Sequence, residues 1–487
     1  MRAVPAGRIL AAIAVLLVVL TGFTWLPHPY PHPHYRAPER PLYGGAVERR
    51  GAPPPSLPDP AAARTIAERE TALLCSARLL ALAADGSVVG EAAQSWELSA
   101  DRLTLVLTLR PDVVGADGEA PTAADVVASL ERLLVVNPDC AAALLLLDLQ
   151  GAESFRRGEA ENVAGLRAEG ERTVVLTLRR PQPLLTRALA DANAALAAPR
   201  STGPFAADDA GRCRPNLRFF RGRPYLDLVI LGGTNEVADP TWRRPVLAAV
   251  GDNPGVAEGA VPVQYPGRRC VYLAANQDRP ALRDAAVRRA VAAAVSPGEM
   301  VRIFFGSAAR PLRHLVPDGS LPEAFFHQPT PLDGEAVSAP RGRLLIGYPA
   351  GDGELELVAE RARVDLLEAG IGSDVAAFGG GTAGACDLLV VEALIADGSA
   401  GYGIWRLLAE LAALSGDRSW LRRPSGDAVA WLVGLDHELI SDGRLLPLYH
   451  TGHRLWADRR LRGLRLRPDG TLDFESAWIT AAGESER

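Results

Sequence analysis

The residues with the chemistry for catalysis or metal binding are few in this sequence, and their spacing fits no known type of site. His437-Glu438 lacks the second histidine of the H-E-x-x-H zinc motif. His450 and His453 follow a predicted strand, where this spacing does not place two imidazoles on one helical face. The glycines at 379–381 precede no lysine and are typical of a loop, and no G-x-S-x-G motif occurs. We therefore expect no enzyme activity and no cofactor.

The five cysteines form no C-x-x-C pair, which argues against a zinc or thioredoxin-type site. In an oxidising compartment Cys213 and Cys270 could form a disulfide. The alternative, which we favour, is that the cysteines are buried free thiols. They are Cys75, Cys140, Cys213, Cys270 and Cys386.

The length and net charge limit the classes of protein to which this chain can belong. A chain of 487 residues with 48% hydrophobic residues can bury a large core and form two or more lobes. A net charge of −6 gives no basic surface of the kind that binds nucleic acid. All 52 basic residues are arginine, which we interpret as coding bias rather than recognition.

Residues 91–134 predict a β-hairpin followed by a capped helix. The runs 96–98 and 103–109 are strand-like, with strict alternation in the second. Thr122, three residues before Asp125, has the pattern of a helix N-cap with an acidic residue in the first turn. The helix then has one apolar face, formed by Val126, Val127, Leu130, Leu133 and Leu134.

The later part of the chain alternates strand and helix patterns. Residues 344–348 and 386–391 are short apolar strands, and 354–369 form an amphipathic helix between them. This spacing predicts a parallel or mixed sheet covered by helices.

Several of these stretches resemble one protein family in the order of their residues. Residues 91–134 contain A-x-S-W-E-x-S-x-D-x-L-T and then D-G-x-x-x-T-A-x-D-V, 202–205 read T-G-P-F, and 223–227 read R-P-Y-L-D. The segments 272–276 (Y-L-x-x-N) and 447–449 (P-L-Y) continue the series. Over about residues 44–480 the chain resembles the family 5 extracellular solute-binding proteins of bacterial ABC transporters, which bind peptides or nickel. Ser201 departs from the family's glycine.

The resemblance implies an α/β (mixed α+β) fold of the large periplasmic binding protein type, with two lobes around a ligand cleft. Lobe I would comprise residues 44–267 and 442–482, and lobe II residues 268–441. The two chain crossings would then form the hinge, near Tyr272 and near Pro447.

The resemblance also implies a ligand site. Peptide-binding relatives place an acidic residue against the peptide's ammonium group, and the matching position here is Asp397. The tryptophan, tyrosine and second acid that surround it in the family are missing. Asp397 could equally cap the helix that starts near Tyr402. Tyr402 and Trp405 could line side-chain pockets, although a helical tryptophan is more often part of the core.

The N-terminal residues 1–43 predict a membrane anchor or signal segment and a linker. Arg2 and Arg8 precede an uncharged apolar run over 9–26, long enough to nearly span a bilayer. No clear cleavage site follows, so we favour an uncleaved inner-membrane anchor with the large domain on the periplasmic or extracytoplasmic side. The proline-rich stretch 27–60 predicts a stiff linker. Its histidines could bind a metal, but we interpret them as part of that linker: His28, His32 and His34.

Three functions compete at this point. The first is a monomeric solute-binding receptor that carries peptides or similar solutes to an ABC permease. The second is an anchored sensor or scaffold that keeps the fold with a changed cleft. The third, an enzyme, lacks motif support.

Retention by residues 9–26 is the first testable prediction. We expect the mature protein to fractionate with the inner membrane and to keep its N-terminal segment, because the apolar run lacks a cleavage site. N-terminal sequencing measures this directly. A mature chain that begins between residues 27 and 45 would contradict the anchor.

Overall fold

The computed structural model describes residues 40–50, 59–197, 201–208, 212–231, 246–250, 260–263, 267–321, 342–379, 381–396, 398–452 and 455–480. The predictions on residues 9–26, on the linker histidines, on His453 and on Asp397 lie outside these residues. None of the helices in the described ranges is long and apolar enough to cross a membrane.

The helices are mostly short and are numbered here in chain order. They are α1 (Ile66–Cys75), α2 (Ala123–Val136), α3 (Ala141–Leu146), α4 (Ala152–Arg156), α5 (Leu185–Ala188), α6 (Ala285–Ala294), α7 (Pro297–Phe304), α8 (Gly353–Glu368), α9 (Ala400–Ser415) and α10 (Ala428–Ser441).

Two large sheets organise the strands. Sheet I has seven strands in the order β12-β19-β11-β1-β10-β9-β8, and sheet II has six in the order β14-β18-β13-β17-β15-β16. A four-stranded antiparallel sheet has the order β4-β5-β7-β6, and the remaining strands form two-stranded ribbons. The strands are β1 (Ala46–Arg50), β2 (Leu80–Leu82), β3 (Val88–Gly90), β4 (Ala93–Leu98), β5 (Thr104–Leu109), β6 (Leu166–Glu169), β7 (Thr173–Thr177), β8 (Phe205–Ala207), β9 (Arg212–Pro215), β10 (Leu228–Leu231), β11 (Val246–Val250), β12 (Ala260–Val263), β13 (Gly267–Ala275), β14 (Ala309–Pro311), β15 (Leu344–Pro349), β16 (Ser373–Phe378), β17 (Leu388–Ala396), β18 (Leu445–Thr451), β19 (Leu455–Asp458), β20 (Leu461–Arg462), β21 (Arg465–Leu466), β22 (Leu472–Asp473) and β23 (Trp478–Ile479).

The predicted hairpin and capped helix are confirmed. β4 and β5 pair antiparallel, and the buried residues of β5 alternate as the sequence indicates. At the start of α2, the Asp125 amide donates to Thr122 Oγ1 at 3.3 Å, and the Thr122 amide donates to Asp125 Oδ2 at 2.7 Å. This reciprocal pair satisfies amides that the first helical turn leaves free. The buried side of α2 packs on β6 and β7.

The predicted mixed sheet is also present, as sheet II. β15 pairs parallel with β16 and β17, and α8 connects β15 to β16. β13 runs antiparallel to β17 over its whole length. Helical crossovers are required here because parallel strands cannot be joined by a tight turn.

The chain returns to sheet I later than the predicted boundary at residue 442. β18 lies inside sheet II, where it pairs with β13 and β14, whereas β19 lies in sheet I. All of β18 except His450 is buried, as an interior strand requires. β18 is therefore the last strand of sheet II in chain order, and the chain enters sheet I again at β19.

The two residues predicted to lie near the hinge, Tyr272 and Pro447, both belong to sheet II. Tyr272 and Pro447 pair with each other inside sheet II. Tyr272 is fully buried, and its hydroxyl donates to the Leu315 carbonyl at 2.5 Å. β12 and β19 belong to sheet I, whereas β13 and β18 belong to sheet II, so the chain passes between the two sheets after Val263 and again after Thr451.

The helix α9 is shared by two hydrophobic cores. Core A is the apolar cluster built from residues 61–196, and it also contains Tyr402, Trp405 and Ala409 of α9. Core B covers one face of sheet II and contains the opposite residues of α9, namely Ile404, Leu407, Leu408 and Leu411. The spacing of three and four within each set places the sets on different faces of one helix.

Two details fix α9 in this position. The Trp405 indole is fully buried, and its Nε1 donates to the Ala141 carbonyl at the start of α3, at 2.9 Å. On the other side, Gly403 lets α9 lie directly on β17. A Cβ at Gly403 would come within 2.8 Å of the Ile395 Cδ1 atom and 3.1 Å of the Leu394 carbonyl oxygen.

Substitution of Trp405 tests the packing of α9 against core A. Trp405→Ala removes a large buried ring and should lower the free energy of unfolding by about 3–5 kcal/mol. Trp405→Phe keeps most of the ring but leaves the Ala141 carbonyl without its donor, so the loss should be about 1–2 kcal/mol. Urea unfolding measures both. Equal, small effects of the two substitutions would contradict the role of Trp405 in core A.

Candidate ligand site between the two cores

A cavity of about 510 Å³ lies between α1 and the remaining face of α9. Its volume falls in the range of small-molecule sites in proteins. Residues near core A line one side, and β17 and α9 line the other. Those that carry polar groups are Arg64, Thr65, Arg69, Asn137, Asp139, Cys140, Asp191, Asn193, Glu392, Arg406 and Glu410.

Arg69 reaches the cavity from α1. A capping box between Thr65 and Glu68 fixes the start of this helix. Arg69 Nη1 donates to the Arg64 carbonyl at 3.0 Å, while its buried Nε has no hydrogen-bond partner among the described residues. Burial lowers the pKa of Arg69, and the Arg406 guanidinium lowers it further.

Arg406 faces Arg69 from α9. Its Nη1 lies 3.5 Å from the Asp469 carbonyl oxygen, at the long limit of a hydrogen bond. Burial opposes the charge on Arg406, but the carboxylates of Asp191 and Asp469 outweigh burial and raise its pKa. Arg406 therefore stays charged in an enclosed space.

Glu410 lies one helical turn after Arg406 on the same face of α9. Its side chain is exposed in the cavity. Burial by the surrounding protein raises the pKa of Glu410, although Arg69 and Arg406 act to lower it. Within the described ranges its carboxylate forms no ion pair. Glu392 differs, because Arg269 Nε donates to its carboxylate at 2.5 Å.

Tyr402, the predicted ligand residue, lies beside this cavity and largely inside core A. Its hydroxyl donates to Asp191 Oδ2 at 2.7 Å, and Asp191 Oδ1 accepts the Asn193 amide at 2.9 Å. Tyr402 also lines an adjoining space of about 20 Å³ together with Arg406 and Asp469. Burial and the Asp191 carboxylate raise the pKa of Tyr402 well above its usual value.

Sequence reasoning did not find Arg69, Arg406 or Glu410. The only available signal was the i, i+4 pair of charges at 406 and 410 on an otherwise apolar helix. Trp405 is fully buried in core A, which is the more common of the two placements considered for it from the sequence. The helix begins at Ala400 after Ser399, whose side chain forms no capping hydrogen bond.

The cysteines are free thiols, as predicted. Cys213 of β9 lies beside Cys75 of α1 rather than Cys270, which is in sheet II. A hydrogen bond with Cys75, together with burial, raises the pKa of the Cys213 thiol. In the described residues no group of three histidine, cysteine or acidic side chains is placed to hold a metal ion.

Comparison with known proteins confirms the family resemblance. Residues 87–220 match the family described as bacterial extracellular solute-binding proteins, family 5 Middle. No curated protein sequence matches the chain.

Solved structures show that the fold is the mixed α/β fold of the two-lobed binding proteins. The chain is 16% identical to the Escherichia coli murein tripeptide binding protein MppA, covering 91% of this chain and 99% of that chain, with a TM-score of 0.67. Haemophilus influenzae OppA in complex with RPPGFSPFR is 14% identical, with coverage of 91% and 100% and a TM-score of 0.68. Campylobacter jejuni NikZ in complex with Ni(L-His) is 18% identical, with coverage of 88% and 97% and a TM-score of 0.65.

Removal of the Tyr402 hydroxyl separates a structural role from a ligand contact. Tyr402→Phe removes the hydroxyl that donates to Asp191 Oδ2, so the free energy of unfolding should fall by about 1–2 kcal/mol. Tyr348→Phe, in a partly exposed position, is the control. Urea unfolding provides the measurement. Unchanged stability with weaker ligand binding would instead show that the hydroxyl acts on the ligand.

Proposed function

We propose that this protein is an extracytoplasmic solute-binding protein of an ABC-type transport system, and that its ligand is a short peptide or a similar small solute. The observation that carries the proposal is the cavity between α1 and α9, where Arg69, Arg406 and Glu410 present charges of both signs. Within the described ranges none of the three forms an ion pair. A zwitterionic solute would supply both missing partners.

The position of the cavity supports a closing mechanism. Arg69 belongs to α1, which packs on β8 of sheet I, whereas Arg406 and Glu410 belong to α9, which packs on β17 of sheet II. A solute that contacts both sides is fully bound only when the two sides are close together, so binding shifts the population toward the closed state. We accordingly assign lobe I to residues 44–267 and 452–482, and lobe II to 268–451.

A peptide suits this cavity better than a bare metal ion. The relatives named above include proteins described with a murein tripeptide, a nonapeptide and a nickel–histidine complex. The guanidinium groups of Arg69 and Arg406 repel a divalent cation but attract a carboxylate. Glu410 offers a carboxylate to an ammonium group.

The transport proposal includes partners outside the described residues. An inner-membrane anchor at residues 9–26 would hold the monomer on the extracytoplasmic side, beside an ABC permease that receives the solute. The proline-rich stretch that follows would act as the tether.

One observation favours the alternative of an anchored sensor or scaffold. The two sides of the cavity are also joined by contacts that need no solute, because Trp405 and Tyr402 of α9 are buried in core A. If these contacts alone keep the protein closed, the closed state would form whether or not a ligand is bound.

Titration calorimetry with trialanine and N-acetyl-trialanine tests the peptide proposal. Glu410→Gln should weaken trialanine binding by about ten- to a hundredfold, because a charged hydrogen bond to the ammonium group contributes about 1.5–3 kcal/mol. Acetylation should weaken binding to the wild-type protein similarly and have no further effect on the variant.

Two other variants complete this test. Glu97→Gln, at an exposed position on β4, is the matched control and should bind as the wild type does. Asp397→Asn tests the carboxylate predicted from the family pattern. If it weakens trialanine binding more than Glu410→Gln does, Asp397 and not Glu410 binds the ammonium group. Absence of binding by both peptides would contradict the peptide proposal and favour the sensor or scaffold.

A further inference from the structure

We infer that Cys75 and Cys213 are a modification site, at which a disulfide bond forms by thiol–disulfide exchange while the protein folds. The inference goes beyond solute binding. It rests on the extracytoplasmic location proposed above, because disulfides form and persist in oxidising compartments. The structure shows the reduced form of the pair, as free thiols. The oxidant that the site requires is another disulfide.

The fold brings these two residues together from distant parts of the sequence. Cys75 is the last residue of α1, and α1 packs on β8. β9 pairs antiparallel with β8, and Cys213 lies opposite Ala207 in this ladder. Both cysteines belong to the apolar cluster on one face of sheet I, together with Phe205 and Val229.

Backbone contacts hold the end of α1 close to β8. The Gly203 amide, just before β8, donates to the Cys75 carbonyl at 2.9 Å. A Cβ at Gly203 would lie 2.6 Å from the Cys75 carbonyl carbon, so this approach requires glycine. The Thr202 hydroxyl accepts the Ala77 amide at 3.0 Å. A backbone that already holds two cysteines near each other is the main geometric requirement for a disulfide.

The thiols of this pair interact with each other. A hydrogen bond with Cys75, together with burial, raises the pKa of the Cys213 thiol. All five cysteines lie within the described residues. The other three lie in or beside sheet II and at the start of α3, and the groups that shift their pKa include no cysteine: Cys270, Cys386 and Cys140.

The reaction consists of two exchanges in sequence. The thiolate of one cysteine attacks a sulfur of the oxidant's disulfide, which breaks, so that one half of the oxidant leaves as a thiolate and a mixed disulfide remains. The thiolate of the second cysteine then attacks the protein sulfur of the mixed disulfide and releases the other half. The two cysteines lose two protons and two electrons in total, and the oxidant's disulfide is reduced to two thiols.

Burial places this reaction before the completion of sheet I. Cys213 is fully buried, and Cys75 is 3% exposed. A molecule as large as glutathione disulfide cannot reach either sulfur in the folded protein, and the raised pKa leaves little thiolate on Cys213 to react. The bond therefore forms during folding, and once formed it resists reductants as long as the protein stays folded.

Mass spectrometry of the full-length protein from cells tests the bond directly. Cells are lysed in urea that contains N-ethylmaleimide, so that free thiols are blocked before they can exchange. The peptides of Cys75 and Cys213 should be joined by a disulfide, while the other three cysteines carry the label. Cys386→Ala removes a thiol outside the pair, so this control should keep the link.

Urea unfolding measures the effect of the bond on stability. The link closes a long loop and restricts the unfolded chain, so the oxidised protein should unfold at a urea concentration about 0.5–1 M higher than the reduced protein. Cys75→Ala and Cys213→Ala should each unfold close to the reduced protein. Dithiothreitol should not lower the midpoint of either variant further.

The outcomes separate the thiol pair from its location. If all five cysteines of the protein from cells carry the label, formation in the cell is overturned, and the protein is then refolded from urea with glutathione disulfide. A Cys75–Cys213 link in refolded protein would retain the pair and contradict the extracytoplasmic location. Label on all five cysteines there, or a Cys213–Cys270 link in either experiment, would overturn the pair. Trialanine binding is measured independently, so failure of the disulfide leaves the peptide proposal intact.

Discussion

The burial of α9 on two sides is the constraint on which the rest of the structure depends. One face, centred on Trp405, belongs to core A, and the opposite face, which includes Leu408, belongs to core B. A helix with two buried faces has only one stripe left for polar residues. Arg406 and Glu410 occupy that stripe, so the packing that joins the cores also determines where the cavity lies and which charges enter it.

Local signals made part of the fold predictable. The capping pair Thr122–Asp125 and the alternation in β5 involve residues that are close in sequence, so they identify α2 and its hairpin without knowledge of the tertiary fold. The sheet to which β18 belongs could not be predicted from such local signals. Its apolar residues would suit an interior strand of either large sheet, and only the pairing with β13 and β14 decides between them.

The candidate site could not be predicted for a related reason. Arg69 is one arginine among many in a chain without lysine. Its sequence neighbours do not reveal that no carboxylate of the described residues forms an ion pair with it. That property emerges only when the ion pairs of the folded protein are compared. The family pattern indicated Asp397 instead, because it records where related proteins place an acid and not which charges lack an ion pair within the described part of this chain.

The double role of α9 has a kinetic consequence. Trp405 and Tyr402 hold the two cores together through contacts that are the same whichever solute occupies the cavity. If release of the proposed solute requires these contacts to separate, that opening step sets an upper limit on the dissociation rate. Weakly bound solutes would then share one residence time, fixed by the protein, and differences in affinity among them would arise from how readily each is captured.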